Sequence, residues 1–210
     1  MTNSKVLFGS FLNRNQKKQL MRKVILLAHT SLDGFVASKD GSLDGFEPGD
    51  ENLAFVCKLT ETADAALFGR VSYQLLQQYW PTAYKKQGAT TAEIAYSNWY
   101  NSAEKIVISQ TMTAESLNNT IIIRDNIPNE INKIKNKPGK DILIFGSPAV
   151  SQLLMQHDLI DSYWIFVNPI IFGKGIPLFT DMENKIKLKL VNTKQFSNGE
   201  VGLNYSTNAK

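Results

Sequence analysis

Residues 141–179 read DILIFGSPAVSQLLMQHDLIDSYWIFVNPIIFGKGIPLF, and the class of fold turns on how this stretch is parsed. Ile142, Leu143, Ile144 and Phe145 form an unbroken apolar run, which suits a strand buried on both faces and therefore a parallel sheet. Gly146 permits a close backbone approach, Ser147 is a good N-cap residue, and Pro148 stands where a first helical residue loses nothing by lacking an N–H. The pattern predicts a strand, a tight turn and a helix whose free N–H groups face the space beyond the strand's carboxyl end. In open α/β sheets that space is the usual seat of a phosphate. A well-capped turn with no ligand fits the same three residues. Downstream, the helix ends around His157-Asp158, Ser162 to Val167 is the next strand, and Gly173 and Gly175 predict a tight, close-packed turn.

Upstream, apolar strands alternate with helical segments, as an α/β fold requires. Val24 to Ala28 is the first buried strand and leads into the polar turn His29-Thr30-Ser31-Leu32-Asp33-Gly34. Gly41, Gly45, Pro48 and Gly49 mark a long irregular loop of the kind that often covers a binding site. Asp50-Glu51 opens a helix with Leu53, Phe55, Val56 and Leu59 on its apolar face. Ala65 to Phe68 is a strand running into Gly69-Arg70-Val71-Ser72, a second strand, glycine and helix junction. There Arg70 can grip a phosphate bidentately and Ser72 can add a donor; an exposed Arg on a surface helix is the plainer reading. Trp80-Pro81 is expected to stop this helix. A further helix is expected from about Thr90 to Tyr100, with Ile94, Tyr96, Trp99 and Tyr100 as core. Lys105 to Ser109 is a strand ending in a hydroxyl, Thr120 to Arg124 another short strand, and Ile127, Ile131 and Ile134 suit a covering helix. Asn198-Gly199 between two alternating runs predicts a closing antiparallel hairpin.

Composition narrows the function classes. Of 23 basic residues, Lys5, Arg14, Lys17 and Lys18 lie in residues 1–20, which hold no acid, so the remainder balances its 19 acids and is neutral. A neutral body argues against nucleic acid as a partner. The tail's short apolar run excludes a membrane span and makes a poor signal peptide. The reading is a basic, disordered extension over residues 1–21, a weak RNA or membrane contact being the lesser alternative, and one domain over 22–206. Cys57 is alone and His29 and His157 are isolated, so no disulfide or metal site is expected and the cytoplasm is the expected compartment.

The order of these motifs resembles the dihydrofolate reductase-like superfamily, and most of all the C-terminal reductase domain of the bifunctional riboflavin-biosynthesis deaminase-reductase. The resemblance rests on Ser31-Leu32-Asp33-Gly34, Phe68-Gly69-Arg70, Lys105 to Ser109, Gly146-Ser147, Leu159-Ile160-Asp161 and Pro169 to Phe179. It implies a three-layer α/β fold, a mixed and mostly parallel sheet flanked by helices and ending in an antiparallel hairpin. It also implies an NADPH-dependent reductase acting on a C=N or C=O bond of a small heterocyclic or sugar-like substrate, similar to 5-amino-6-(5-phosphoribosylamino)uracil reductase, with a homodimer as a form relatives often take. A non-catalytic protein that keeps the fold and the cofactor is the alternative.

The resemblance implies that Gly146, Ser147 and Pro148 hold the pyrophosphate. Gly69, Arg70, Ser72 and Ser109 approach the 2′-phosphate, and Ala28, Gly34, Val36 and Ala37 line the nicotinamide and substrate side. Asp33, at the end of the first strand, is the candidate proton donor or orienting acid, with His29 behind it; Trp80 is a candidate wall of the substrate pocket. Two departures stand out. Ser147 replaces a second glycine, and apolar Leu53 stands where dihydrofolate reductases carry their pterin-binding acid, which argues against folate as the substrate.

Overall fold

Each apolar run becomes a strand because its alternate residues serve two different cores. The computed structural model describes residues 21–47, 49–113, 119–180 and 182–207; the basic extension, residues 1–20, lies outside them. Strands β1 (Val24–Thr30), β3 (Ala63–Gly69), β4 (Glu104–Ile108), β5 (Thr120–Ile123), β6 (Asp141–Phe145) and β7 (Ser162–Val167) run parallel in the order β5-β4-β3-β6-β1-β7. β10 (Val201–Thr207) pairs antiparallel with β7 and with β9 (Leu188–Gln195), so the expected hairpin closes an eight-stranded sheet. β2 (Phe35–Ala37) and β8 (Ile176–Pro177) form a small antiparallel pair of their own.

Side-chain alternation assigns the helices to the faces. Val24, Leu26 and Ala28 of β1 join Leu67, Ile106 and Ile144 in one core, closed by Ile131 and Ile134 of α4 (Ile127–Lys135) and by Val150 and Leu154 of α5 (Pro148–Gln156). Leu27, Phe68, Val107 and Leu143 face the other core, closed by Val56 of α1 (Asp50–Thr60), Tyr73 of α2 (Arg70–Ala83), and Tyr96 and Tyr100 of α3 (Thr91–Ser102). Leu26, Leu67, Ile142 and Leu143 have no exposed surface, and each such side chain contributes about 1.5–3 kcal/mol over an exposed one. The result is the three-layer architecture expected.

Two local expectations are corrected. α2 does not stop at Trp80-Pro81 but continues to Ala83. Pro81 removes one helical N–H, yet only one turn is affected, and the carbonyls that the nearby helix end leaves open find partners on α3: Ser97 Oγ donates to the Trp80 carbonyl (2.5 Å) and Asn101 Nδ2 to that of Pro81 (3.1 Å). Ile94, expected in the core, is 39% exposed, while Tyr96 and Tyr100 of the same helix are buried. α3 turns only one narrow stripe inward.

Register then places the site. Leu27 is paired with Phe145, Leu67 with Ile144 and Gly69 with Ile108. The carboxyl ends of β1, β3, β4 and β6 therefore meet along one edge of the sheet, the place where open α/β sheets bind ligands.

Candidate functional site

A cavity of about 960 Å³ opens at that edge, near the upper end of the range for small-molecule sites. Its walls come from both strand-to-helix junctions, from the end of β1, from β2 and β8, and from the loop ahead of α1.

At the first junction the backbone turns left-handed twice in succession, at Gly146 (φ 59°) and Ser147 (φ 50°), before α5 begins at Pro148. All three residues line the cavity. A Cβ built on Gly146 would meet no atom within 4 Å, so the space above this turn is open to a ligand's oxygens. The helix start supplies unpaired N–H groups and the positive end of its dipole. Ser147 departs from its expected part. Its hydroxyl makes no capping bond to α5; it accepts the N–H of Gly69 at 2.9 Å. The reason is conformational, because a left-handed N-cap residue does not present its side chain to the first turn as an extended one does.

Gly69 ends β3 and opens the second junction. A Cβ there would sit 3.2 Å from Val150 Cγ2, so glycine allows α5 to approach. Arg70 and Ser72 follow in the cavity wall, and Arg70 Nη1 donates to Gln74 Oε1 at 3.2 Å. β4 does lie beside β3, and Ile108 reaches the wall. Ser109, the next residue, stands outside the wall; its hydroxyl accepts the N–H groups of Thr111 (3.3 Å) and Met112 (3.1 Å). It stabilises its own turn.

At the end of β1, alternation points Leu27 and His29 into the cavity and Ala28 into the opposite core. The Ala28 side chain is therefore not a cavity residue. The His29 ring stacks on Phe166 with centroids 5.0 Å apart, and its Nδ1 lies 2.9 Å from Glu200 Oε1. Glu200 has no exposed surface. Its two carboxylate oxygens accept from Asn52 Nδ2 at 3.2 and 3.1 Å, and Asn52 lines the cavity. Neither Glu200 nor Asn52 was signalled by the sequence. They lie 148 residues apart, Asn52 among good helix-start residues and Glu200 at the edge of a turn that needs no acid.

Asp33 and Gly34 lie outside the wall. Asp33 fastens the loop after β7: its two oxygens accept the N–H groups of Phe172 (3.0 Å) and Gly173 (2.7 Å). A hydrogen bond with Ser31, followed by those two N–H groups, holds the carboxyl below its ordinary value of 3.8 against some desolvation. Gly34 accepts the N–H of Leu178 through its carbonyl, at 3.0 Å. The two loops are laced together, and the predicted close packing is present at Gly175, where an added Cβ would lie 2.3 Å from the Ala37 carbonyl oxygen. That lacing sets Val36, Ala37 and Ile176 in the wall. Trp80 is in the wall too, its ring 4.3 Å from that of Tyr96.

The architecture is that of the dihydrofolate reductase-like class. The chain aligns over 89% of its length with 97% of dihydrofolate reductase from Enterococcus faecalis, solved with NADP(H) and RAB-propyl (TM-score 0.59, 14% identity). It aligns over 89% of its length with 57% of the diaminohydroxyphosphoribosylaminopyrimidine deaminase/5-amino-6-(5-phosphoribosylamino)uracil reductase of Thermotoga maritima (TM-score 0.62, 18% identity). Within that class the family is narrower: residues 22–201 match the RibD C-terminal domain, and the chain belongs to that family. "Uncharacterized protein YyaP" of Bacillus subtilis (strain 168) is 36% identical over 194 residues, which are 92% of this chain and 98% of YyaP. Among the described residues no helix is long and apolar enough to cross a membrane, and no cluster of residues is suited to a metal ion.

Proposed function

We propose that the protein is an NADPH-dependent reductase that reduces a C=N or C=O bond of a small heterocyclic or sugar-like substrate. The observation that carries this reading is the bridge between the two junctions, the Gly69 N–H held on Ser147 Oγ with Arg70 next in the chain. It sets an anion-ready helix start and a cation side by side on one cavity. The open space over Gly146 fits a pyrophosphate approaching backbone N–H groups, and Arg70 with Ser72 fits a dianionic 2′-phosphate.

NADPH, when bound, supplies a hydride. The chain's own tasks are to bind, orient and exclude water. Gly146, Ser147 and Pro148 hold one end, Arg70 and Ser72 the other, and Val36 and Ala37 wall the reacting side. Asp33 acts on this account by fixing the loop that packs behind Val36 and Ala37, since its two oxygens are already engaged outside the cavity.

Calorimetric titration with NADPH, followed by absorbance-monitored NADPH oxidation against 5-amino-6-(5-phosphoribosylamino)uracil and other small heterocycles, tests the reading. Micromolar or tighter binding with turnover of at least one of them is expected. No binding of NADPH at millimolar concentration overturns it.

A further inference from the structure

At the end of the cavity formed by β1 stands a polar cluster that the cofactor sites above do not use. Glu200 is sealed completely, while the His29 side chain keeps 31% of its surface. The carboxylate itself cannot meet a ligand, whereas the imidazole can. Asn52 donates to both Glu200 oxygens from beneath, which supplies part of what a buried carboxylate needs to remain in place. Phe166 stacks against the imidazole and fixes its plane.

His29 Nδ1 lies 2.9 Å from Glu200 Oε1. Nδ1 is buried, and its approach is not aligned as a regular hydrogen bond. A bare Nδ1 facing a carboxylate would set two lone pairs against each other at that distance, which a site shielded from water does not tolerate. Both Glu200 oxygens already accept from Asn52 Nδ2, which marks the carboxylate as the acceptor and assigns the proton to the imidazole nitrogen beside it. The neutral ring then has its proton on Nδ1 and a lone pair on Nε2, the nitrogen left for the cavity.

We infer that His29 delivers the proton that accompanies hydride, that Glu200 is the residue that positions it, and that Asn52 holds Glu200. This rests on the reductase reading above. In the step, hydride adds to the carbon of a C=N bond while the Nε2–H bond of an imidazolium breaks and its proton goes to the nitrogen, giving CH–NH. His29 is left neutral, with its remaining proton on Nδ1 beside Glu200, and a proton taken up from bulk solvent restores Nε2–H. The substrate this arrangement suits is a planar heterocycle with a ring nitrogen or carbonyl at the reducible bond. Such a ring can lie within the apolar walls of Leu53, Val56 and Phe166 and present that edge to His29.

The test has a spectroscopic arm and a kinetic arm. The chain has two histidines, His29 and His157, so ring ¹⁵N signals are assigned by comparison with His157→Gln. In the wild-type protein the neutral His29 ring is expected as the Nδ1–H form, and in Glu200→Gln as a mixture or the Nε2–H form. A wild-type His29 protonated on Nε2, or a proton position unmoved by Glu200→Gln, overturns the inference; the wild-type spectrum alone decides if the variant does not fold. In the kinetic arm, single turnovers use NADPH and 5-amino-6-(5-phosphoribosylamino)uracil. His29→Gln and Glu200→Gln are each expected to lose about 100-fold or more in rate. NADPH affinity should be unchanged, and the double variant should be no slower than either alone. Undiminished rates in both variants overturn the proton role. Failure of the wild type to bind NADPH, with the Nδ1–H form present, would instead count against the reductase reading.

Discussion

The Gly69 N–H donates to the Ser147 hydroxyl at 2.9 Å, joining two strand-to-helix junctions that are 78 residues apart in the chain. Removing the hydroxyl leaves a partly buried donor without its partner, which costs about 1–3 kcal/mol. Ser147→Ala also keeps a side chain at φ 50°, where glycine would relieve about 1 kcal/mol of strain. Ser147→Ala is therefore expected to be the less stable of the pair with Ser147→Gly, and both should bind NADPH more weakly. Urea denaturation and calorimetry check this. A neutral Ser147→Ala would remove the bridge from the account.

Gly146 poses a different question, because the space over it is empty. Gly146→Ala should cost only the strain of a left-handed side chain, about 1–2 kcal/mol. Gly146→Leu should fold yet lose measurable NADPH binding, since its side chain occupies the space assigned to the pyrophosphate. The paired readout is circular dichroism for folding and calorimetry for binding, and wild-type affinity in the leucine variant would contradict the assignment.

How much of this was legible in the sequence depends on how local the cause was. Ile142 to Phe145, Gly146 and Pro148 announce a buried strand and a turn into a helix through short-range physics alone, and the structure has them there. The Gly69-Arg70 junction into α2 was legible for the same reason. Ser147 was read correctly as a polar turn residue but assigned the wrong partner, because its hydrogen bond reaches across the sheet to Gly69. Ala28 and His29 were distinguishable only once strand alternation had a face to refer to. Glu200 and Asn52 left no local trace, since what makes them notable is their mutual burial against His29.

Asp33 gives the pH dependence a sign. Its carboxyl is held below 3.8, first by Ser31 and then by the N–H groups of Phe172 and Gly173. A depressed carboxyl stabilises the folded loop fully above its unfolded pKa, and the effect is lost as pH falls through the lower folded value. The Phe172 and Gly173 amides should therefore stay protected from exchange at neutral pH and lose protection only in acid. Asp33→Ala, which has no acceptor, should lose that protection at every pH. Amide exchange by NMR reads both, and protection that persists in Asp33→Ala would contradict the anchor.

Gly175 offers a test of the lacing between β2 and β8. An added Cβ would lie 2.3 Å from the Ala37 carbonyl oxygen and 3.0 Å from Phe35 Cβ, contacts that force the backbone to move. Gly175→Ala is expected to lose about 1–3 kcal/mol of stability and to weaken ligand binding, because Val36, Ala37 and Ile176 of this pair wall the cavity. Chemical denaturation alongside calorimetry reports both effects, and an unchanged unfolding midpoint would show that the close approach is not maintained in solution.

The central claim is that this cavity selects NADPH through Arg70, and calorimetric titration of wild type and Arg70→Ala with NADPH and NADH tests it most directly. A charge-assisted hydrogen bond to the 2′-phosphate contributes about 1.5–3 kcal/mol, so NADPH should bind the variant about 10- to 100-fold more weakly while NADH binding barely changes. Equal losses for the two cofactors, or no loss for NADPH, would contradict the account.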